Sequence, residues 1–210
     1  MEIIIYYQKQ SLKFIYFIYI DIFKLLFILM SKVLLVLNHP NFKESFANKI
    51  VVDKLKTLMP DIEIDHIDAL YPDGKIDVKA EQEKLLRNDT IVFQFPMYWY
   101  KCPYLLSKWL EDVYEHGFAY GSKGNKLKDK RVIISMTMNC KEEEFVGGYT
   151  MDKIMSPWLA TIDYTQQKYG GNALTFDIPF NIKEMPETQA KLKIDLEKQA
   201  EKIVELINKK

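Results

Sequence analysis

"IVFQFPMYWYKCP", residues 91–103, decides the fold. Ile91–Phe95 make a short, nearly continuous apolar run, the pattern of an interior strand covered on both faces. Pro96 stops it, and Tyr98, Trp99 and Tyr100 then stand side by side in a loop that Pro103 closes. A core strand has no need of three large rings just past its end. Three adjacent rings cannot all turn inward, so at least one lines a cleft.

Similar runs lie on either side. Strands are expected at 32–37, 62–67, 90–95, 131–136 and 172–178, from continuous or alternating apolar patterns. Between them, residues 45–58, 78–86, 104–114, 150–164 and 186–207 carry the 3.6-residue apolar period of helices, the fourth with Pro157 as a possible kink. Ser45 is placed to cap the first helix. Strict alternation predicts an α/β, three-layer sandwich: a five-stranded parallel sheet with helices on both faces. Five such strands take the flavodoxin-like order 2-1-3-4-5, whose switch point lies between strands 1 and 3. Ligands of open α/β sheets bind beyond the carboxyl ends of the strands at that point. The loops there are 38–44 and 96–103.

The chain has 210 residues, enough for one domain with a full core. Lysine plus arginine equals aspartate plus glutamate at 29 each, so no basic field argues for nucleic acid. The two cysteines, Cys102 and Cys140, fit neither a metal spacing nor a disulfide framework, which points to a reduced, cytoplasmic setting. Residues 1–29 are built almost wholly of Ile, Phe, Tyr, Leu and Lys. The apolar run 14–30 is interrupted by Asp21 and Lys24, and a membrane helix wants about 20 apolar residues. Met30 followed by "SKVLLVL" reads as a natural start. Residues 1–29 are therefore expected to be an upstream extension, with a hydrophobic anchor as the alternative, and 30–210 to be the folded domain.

"NHPNFKES" (38–45) joins a buried strand to a helix N-terminus, where free N–H groups and the helix dipole favour an anion. His39, Lys43 and Ser45 add donors suited to phosphate, although a polar connector with a capping serine would look the same. There is no P-loop and no G-x-G-x-x-G. A phosphate end beside an aromatic wall fits a flat ring with a phosphorylated tail, which is a flavin nucleotide. The loop after strand 4, "TMNCKEEEFVGGYT" (137–150), would supply the third edge, with Thr137, Asn139 and Tyr149 as polar groups and Gly147–Gly148 as backbone freedom.

"FQFPMYWYKCPYLLSKWLEDVYEHGFAYG", together with "NHPNFKESFAN", "AEQEKLL" and the "GGYT…PWLAT" stretch, resembles the NAD(P)H:quinone oxidoreductases of the DT-diaphorase type. The likeness runs over about 32–208 and is strongest to short bacterial members, which include ancillary quinone reductases of glutathione-gated potassium efflux systems. It implies a flavodoxin-like homodimer whose flavin, FMN in preference to FAD, takes hydride from NAD(P)H and passes it to a quinone in a ping-pong cycle. By that resemblance His39, Ser45 and Phe46 match the flavin-phosphate loop and Gln82 a flavin contact. Pro96, Met97, Trp99 and Tyr100, with Tyr98 between them, match the loop bordering the ring. Phe118 and Tyr120 match aromatics offered to the partner subunit's pocket. Trp99 and Tyr100 border the ring where the transfer occurs.

Two departures stand out. The family's loop after strand 4 commonly reads Thr-Thr-Gly-Gly, whereas Thr137 here precedes Met138, Asn139 and Cys140, whose side chains would crowd the ring. Longer members place a tyrosine and a histidine in that loop. Here the tyrosine position reads Phe145, no histidine follows His116, and Tyr149 is the hydroxyl left to serve in catalysis. A second reading, of a different class, is a regulatory subunit that acts by docking on a potassium efflux transporter.

Overall fold

A computed structural model describes residues 32–209. Residues 1–29, read above as an extension or anchor, lie outside the described residues. Five parallel strands form one sheet: β1 (Val33–Leu37), β2 (Glu63–His66), β3 (Thr90–Pro96), β4 (Arg131–Thr137) and β5 (Lys168–Thr175). Their order is β2-β1-β3-β4-β5, as the alternation of patterns predicts. Among the described residues six α-helices flank them: α1 (Ala47–Leu58), α2 (Ile67–Leu70), α3 (Val78–Arg87), α4 (Tyr104–Val113), α5 (Met151–Tyr164) and α6 (Pro186–Asn208).

Successive side chains of a strand point to opposite faces, so each strand feeds two cores. Leu34 and Val36 of β1, with Phe93 and Phe95 of β3, pack under α3, α4 and α5, where Trp109 and Trp158 fill the space. Val33, Leu35 and Leu37 turn to the other face, against Val51 and Leu55 of α1 and Leu196 and Ile203 of α6. The middle strands β1, β3 and β4 are almost entirely buried, and their carboxyl ends present the loops after them along one edge of the sheet.

Two elements differ from the sequence expectation. A single helical turn, α2, follows β2 directly, because the alternating strand pattern ends at His66 and Ile67 turns into the core. β5 runs over Lys168–Thr175 rather than 172–178. Gly170–Gly171 sits inside the strand, at a register shift opposite Val132 and Ile133. Gly171 has φ +114°, and a Cβ there would meet Leu206 at 2.7 Å, so the glycine lets α6 approach the sheet. β5 stops at Thr175 because Asp177 takes a left-handed φ of +56° and redirects the chain. Within α5, Pro157 cannot donate to the Lys153 carbonyl, which instead accepts from the Ser156 hydroxyl at 2.9 Å. Among the described residues no helix is long and apolar enough to cross a membrane.

Candidate functional site

A cleft of about 860 Å³ opens at the carboxyl ends of β1, β3 and β4. Its size suits a cofactor-sized ligand. One end is the junction from β1 to α1. Ser45 keeps extended backbone angles while Phe46 is already helical, and the Ser45 hydroxyl accepts from the Asn48 N–H at 3.2 Å. Ser45 is thus the working cap. The first-turn N–H groups of Phe46 and Ala47 have no intrahelical carbonyl to meet and lie at the cleft wall. His39 accepts the Asn41 N–H on Nδ1 at 3.1 Å, which leaves its proton on Nε2 as a donor. Burial holds the His39 pKa below the usual value, against the opposing pull of Asp68, so the ring is neutral near pH 7. Asp68 braces this loop from α2: one carboxylate oxygen accepts from the Asn38 amide at 2.8 Å and from the His39 N–H at 2.6 Å.

The aromatic loop forms the long wall. Tyr98 donates its N–H to the Lys101 carbonyl at 2.8 Å, and Lys101 returns the bond at 3.0 Å, closing a two-residue hairpin. The residues at its tip are Trp99 and Tyr100, with φ of +49° and +63°. A turn with both central residues at positive φ is normally made by Asn-Gly or Gly-Gly. Placing bulky aromatics there stores about 1–2 kcal/mol per residue. The strain holds both rings clear of the core: Trp99 is 87% exposed, and Tyr100 stacks at 6.3 Å and 14° on Tyr149. Tyr149 is itself exposed and stands outside the cleft lining, touching it through Tyr100.

The remaining edge comes from Thr137–Cys140 after β4 and from 178–184 after β5. The expected crowding by Met138–Cys140 does not close the cleft. Met138 is buried in the core, and the Asn139 amide turns onto the Ile178 carbonyl at 2.9 Å. The loop after β5 was not foreseen in sequence. It sets Phe180, 94% exposed, at the rim and ties Lys183 to Glu44 of the β1 loop by an ion pair.

The structure therefore gathers His39, Ser45, Phe46, Pro96, Met97, Tyr98, Trp99, Tyr100, Thr137 and Asn139 around one cleft. It places Gln82, Phe118 and Tyr120 elsewhere. The Gln82 amide donates to the Val113 carbonyl at 3.0 Å and to Glu115 at 2.9 Å, and Phe118 and Tyr120 lie on the loop that follows. Asp68, Asn48 and Gln94 were missed. Their only signal was a polar residue on an otherwise apolar face or strand, as Gln94 is in "IVFQF".

A model of the flavodoxin-like fold matches residues 31–199. The uncharacterized NAD(P)H oxidoreductase YrkL of Bacillus subtilis is 37% identical over 142 residues, 66% of this chain and 81% of that protein. The chain belongs to the flavodoxin-like NAD(P)H oxidoreductase family. Another relative in the family is the glutathione-regulated potassium-efflux system ancillary protein KefF of Enterobacter, 40% identical over 134 residues, 63% of this chain and 76% of that protein. Among solved structures, general stress protein 14 of Treponema denticola, crystallised in complex with FMN, superposes with a TM-score of 0.68 at 30% identity over 81% of this chain and 99% of that one.

Proposed function

We propose that the cleft holds FMN and that the chain passes two electrons from NAD(P)H to a quinone in a ping-pong cycle. The observation that carries this reading is the pairing of a neutral-donor anion end with a strained aromatic wall in one cleft at the switch point. The FMN-bound structure of the Treponema relative supports it. When bound, FMN supplies hydride acceptance and release. The His39 Nε2–H, the Ser45 hydroxyl and the first-turn N–H groups of α1 hold the phosphate. Pro96–Tyr100 border the ring, and Thr137 and Asn139 offer hydrogen bonds to its edge. Trp99 and Tyr100 leave room for a second flat molecule, so that nicotinamide and quinone occupy the same place in turn. The exposed Tyr149 hydroxyl, held beside Tyr100, is the proton-handling group at the mouth.

Gln82, Phe118 and Tyr120 lie apart from this chain's cleft. In our reading they reach the cleft of a second copy in a homodimer, which the exposed rings of Tyr104 and Tyr164 would also help to bury. Sedimentation of the chain at twice its monomer mass is the expected result, and a monomer at micromolar concentration would remove that part. The near-neutral charge and the unpaired cysteines fit a cytoplasmic location. The likeness to KefF favours a second reading, in which the chain also docks on a potassium efflux transporter. Co-purification with such a transporter would support it.

The deciding test is the absorbance spectrum of the purified chain. A flavin spectrum that bleaches with anaerobic NADPH and returns on adding a quinone is expected. A colourless chain that takes up no added FMN would overturn the reading.

A further inference from the structure

The FMN reading leaves one buried side chain unused. Asn48, on the first turn of α1, is 2% exposed, yet it meets all three elements that build the cleft. Its Nδ2 donates to the Thr137 hydroxyl at the end of β4 at 3.0 Å, and to the Ser45 hydroxyl at a longer 3.4 Å. Its Oδ1 accepts from the Gln94 amide of β3 at 2.7 Å, and its backbone N–H also reaches the Ser45 Oγ, at 3.2 Å.

The direction of these bonds matters more than their number. In the structure the buried Gln94 Nε2 donates to Oδ1 and the Asn48 NH₂ faces the two hydroxyls. A hydroxyl has one hydrogen and two acceptor sites. Ser45 Oγ receives the backbone N–H and the side-chain N–H of Asn48, so both its acceptor sites are engaged from below. Thr137 Oγ1 receives the other Nδ2 hydrogen. Among the described residues nothing accepts the hydrogen of either hydroxyl, and both residues line the cleft.

We propose that Asn48 is a positioning residue that fixes the Ser45 and Thr137 hydroxyls as donors into the cleft, one at its phosphate end and one at its ring edge. A side chain that touches both ends from beneath thus sets the polarity of the site. An amide that presented its oxygen upward would draw both hydrogens down and turn lone pairs toward the ligand. That arrangement would oppose a phosphate and any negative charge on the ring edge. The proposal rests on the FMN reading above.

The test is a double-mutant cycle read by flavin binding rather than by turnover. FMN and riboflavin affinities are measured by fluorescence quenching for Ser45→Ala and Thr137→Val, each in the native and the Asn48→Asp background. In the native background, Ser45→Ala is expected to weaken FMN by about 10-fold with little effect on riboflavin, from the loss of one charge-assisted hydrogen bond. Thr137→Val is expected to weaken both ligands alike. With Asn48→Asp, whose carboxylate can only accept, FMN binding falls by at least about 10-fold, and neither hydroxyl deletion costs more than about 2-fold further. Simple repulsion between the new carboxylate and the phosphate would leave the deletion costs unchanged. Fully additive costs would therefore overturn the proposal. Asn48→Ala carries no charge and serves if the Asp variant does not fold. It should show the same loss of coupling in smaller measure, and unchanged deletion costs in this background overturn the proposal equally. A native chain that binds neither FMN nor riboflavin overturns the flavin reading itself, whereas tight FMN binding with additive deletion costs sinks only the role of Asn48.

Discussion

Exchanging Trp99 and Tyr100 for Asn and Gly is expected to make the chain more stable and much less able to bind its cofactor. The hairpin at 98–101 keeps its reciprocal backbone bonds in the variant, since these involve only Tyr98 and Lys101. The change relieves two bulky residues at positive φ with the dipeptide best suited to such a turn. Relief of about 1–2 kcal/mol per residue, reduced by the extra freedom glycine gives the unfolded chain, leaves a net gain of about 1–2 kcal/mol. In a domain of this size that is roughly 2–8 °C in melting temperature. Against this stands the loss of two rings from the wall. Aromatic stacking on a flat heterocycle is worth about 1–3 kcal/mol per ring, so FMN binding should weaken by roughly 30-fold or more. Turnover with quinone should fall at least as far, because the second flat reactant loses the same support. Thermal unfolding and FMN titration of one preparation give both numbers. A variant that is no more stable, or that binds FMN like the native chain, would show that the strain serves no cofactor wall.

That trade also explains what could be read from the sequence. The sheet was legible because β1, β3 and β4 are covered on both faces and so appear as unbroken apolar runs. The site was legible where odd residues fell on loops that the topology brings together: His39 and Ser45 after β1, and Tyr98–Tyr100 after β3. Local rules failed in two kinds of place. β5 starts four residues before its apolar pattern suggests, because Gly170–Gly171 carry no side chain to mark a strand and the sequence does not show α6 arriving with Leu206. Asp68 and Asn48 act through contacts 29 and 89 positions away, and no local period announces these. The positions of Gln82, Phe118 and Tyr120 belong to a third kind. Within one chain they stand apart from the cleft, and the role proposed for them needs a second copy.

Stability should fall as pH rises from about 5 to 8, and Asp65→Asn should abolish that slope. Asp65 at the end of β2 and Glu81 of α3 are both buried, and a single ammonium, Lys84, bridges them at 2.5 and 2.6 Å. Two carboxylates and one cation in a low-dielectric site favour keeping one proton. The hydrogen bonds say which carboxyl keeps it. Glu81 also accepts from the Tyr71 hydroxyl at 2.5 Å and the Trp109 indole at 2.9 Å. Burial alone would raise its pKa, but these bonds, with those from Asp65 and Lys84, outweigh it and hold Glu81 low and ionised. Asp65 accepts from Lys84 alone, and its hydrogen bond with Glu81 requires that Asp65 be the carboxyl that keeps the proton. Burial, then its neighbour Glu81, pushes Asp65 up to about 8. The folded chain thus holds a proton that the unfolded chain releases near pH 4. Between those values unfolding releases a proton, so stability drops with rising pH, by at most about 1.4 kcal/mol per pH unit. From pH 5 to 8 that amounts to roughly 3 kcal/mol, and the loss is complete only above pH 8. Asn at position 65 mimics the protonated acid at every pH, so the variant should match the native chain near pH 3, below the unfolded pKa, and its lead should grow by roughly 3 kcal/mol between pH 5 and pH 8. His39, whose pKa is lowered, acts in the opposite sense and destabilises at acid pH, but it is common to both proteins and cancels in the difference. Urea unfolding of both proteins at several pH values measures that difference. A constant offset between the two curves would mean that Asp65 is ionised in the fold and that the shared proton does not exist.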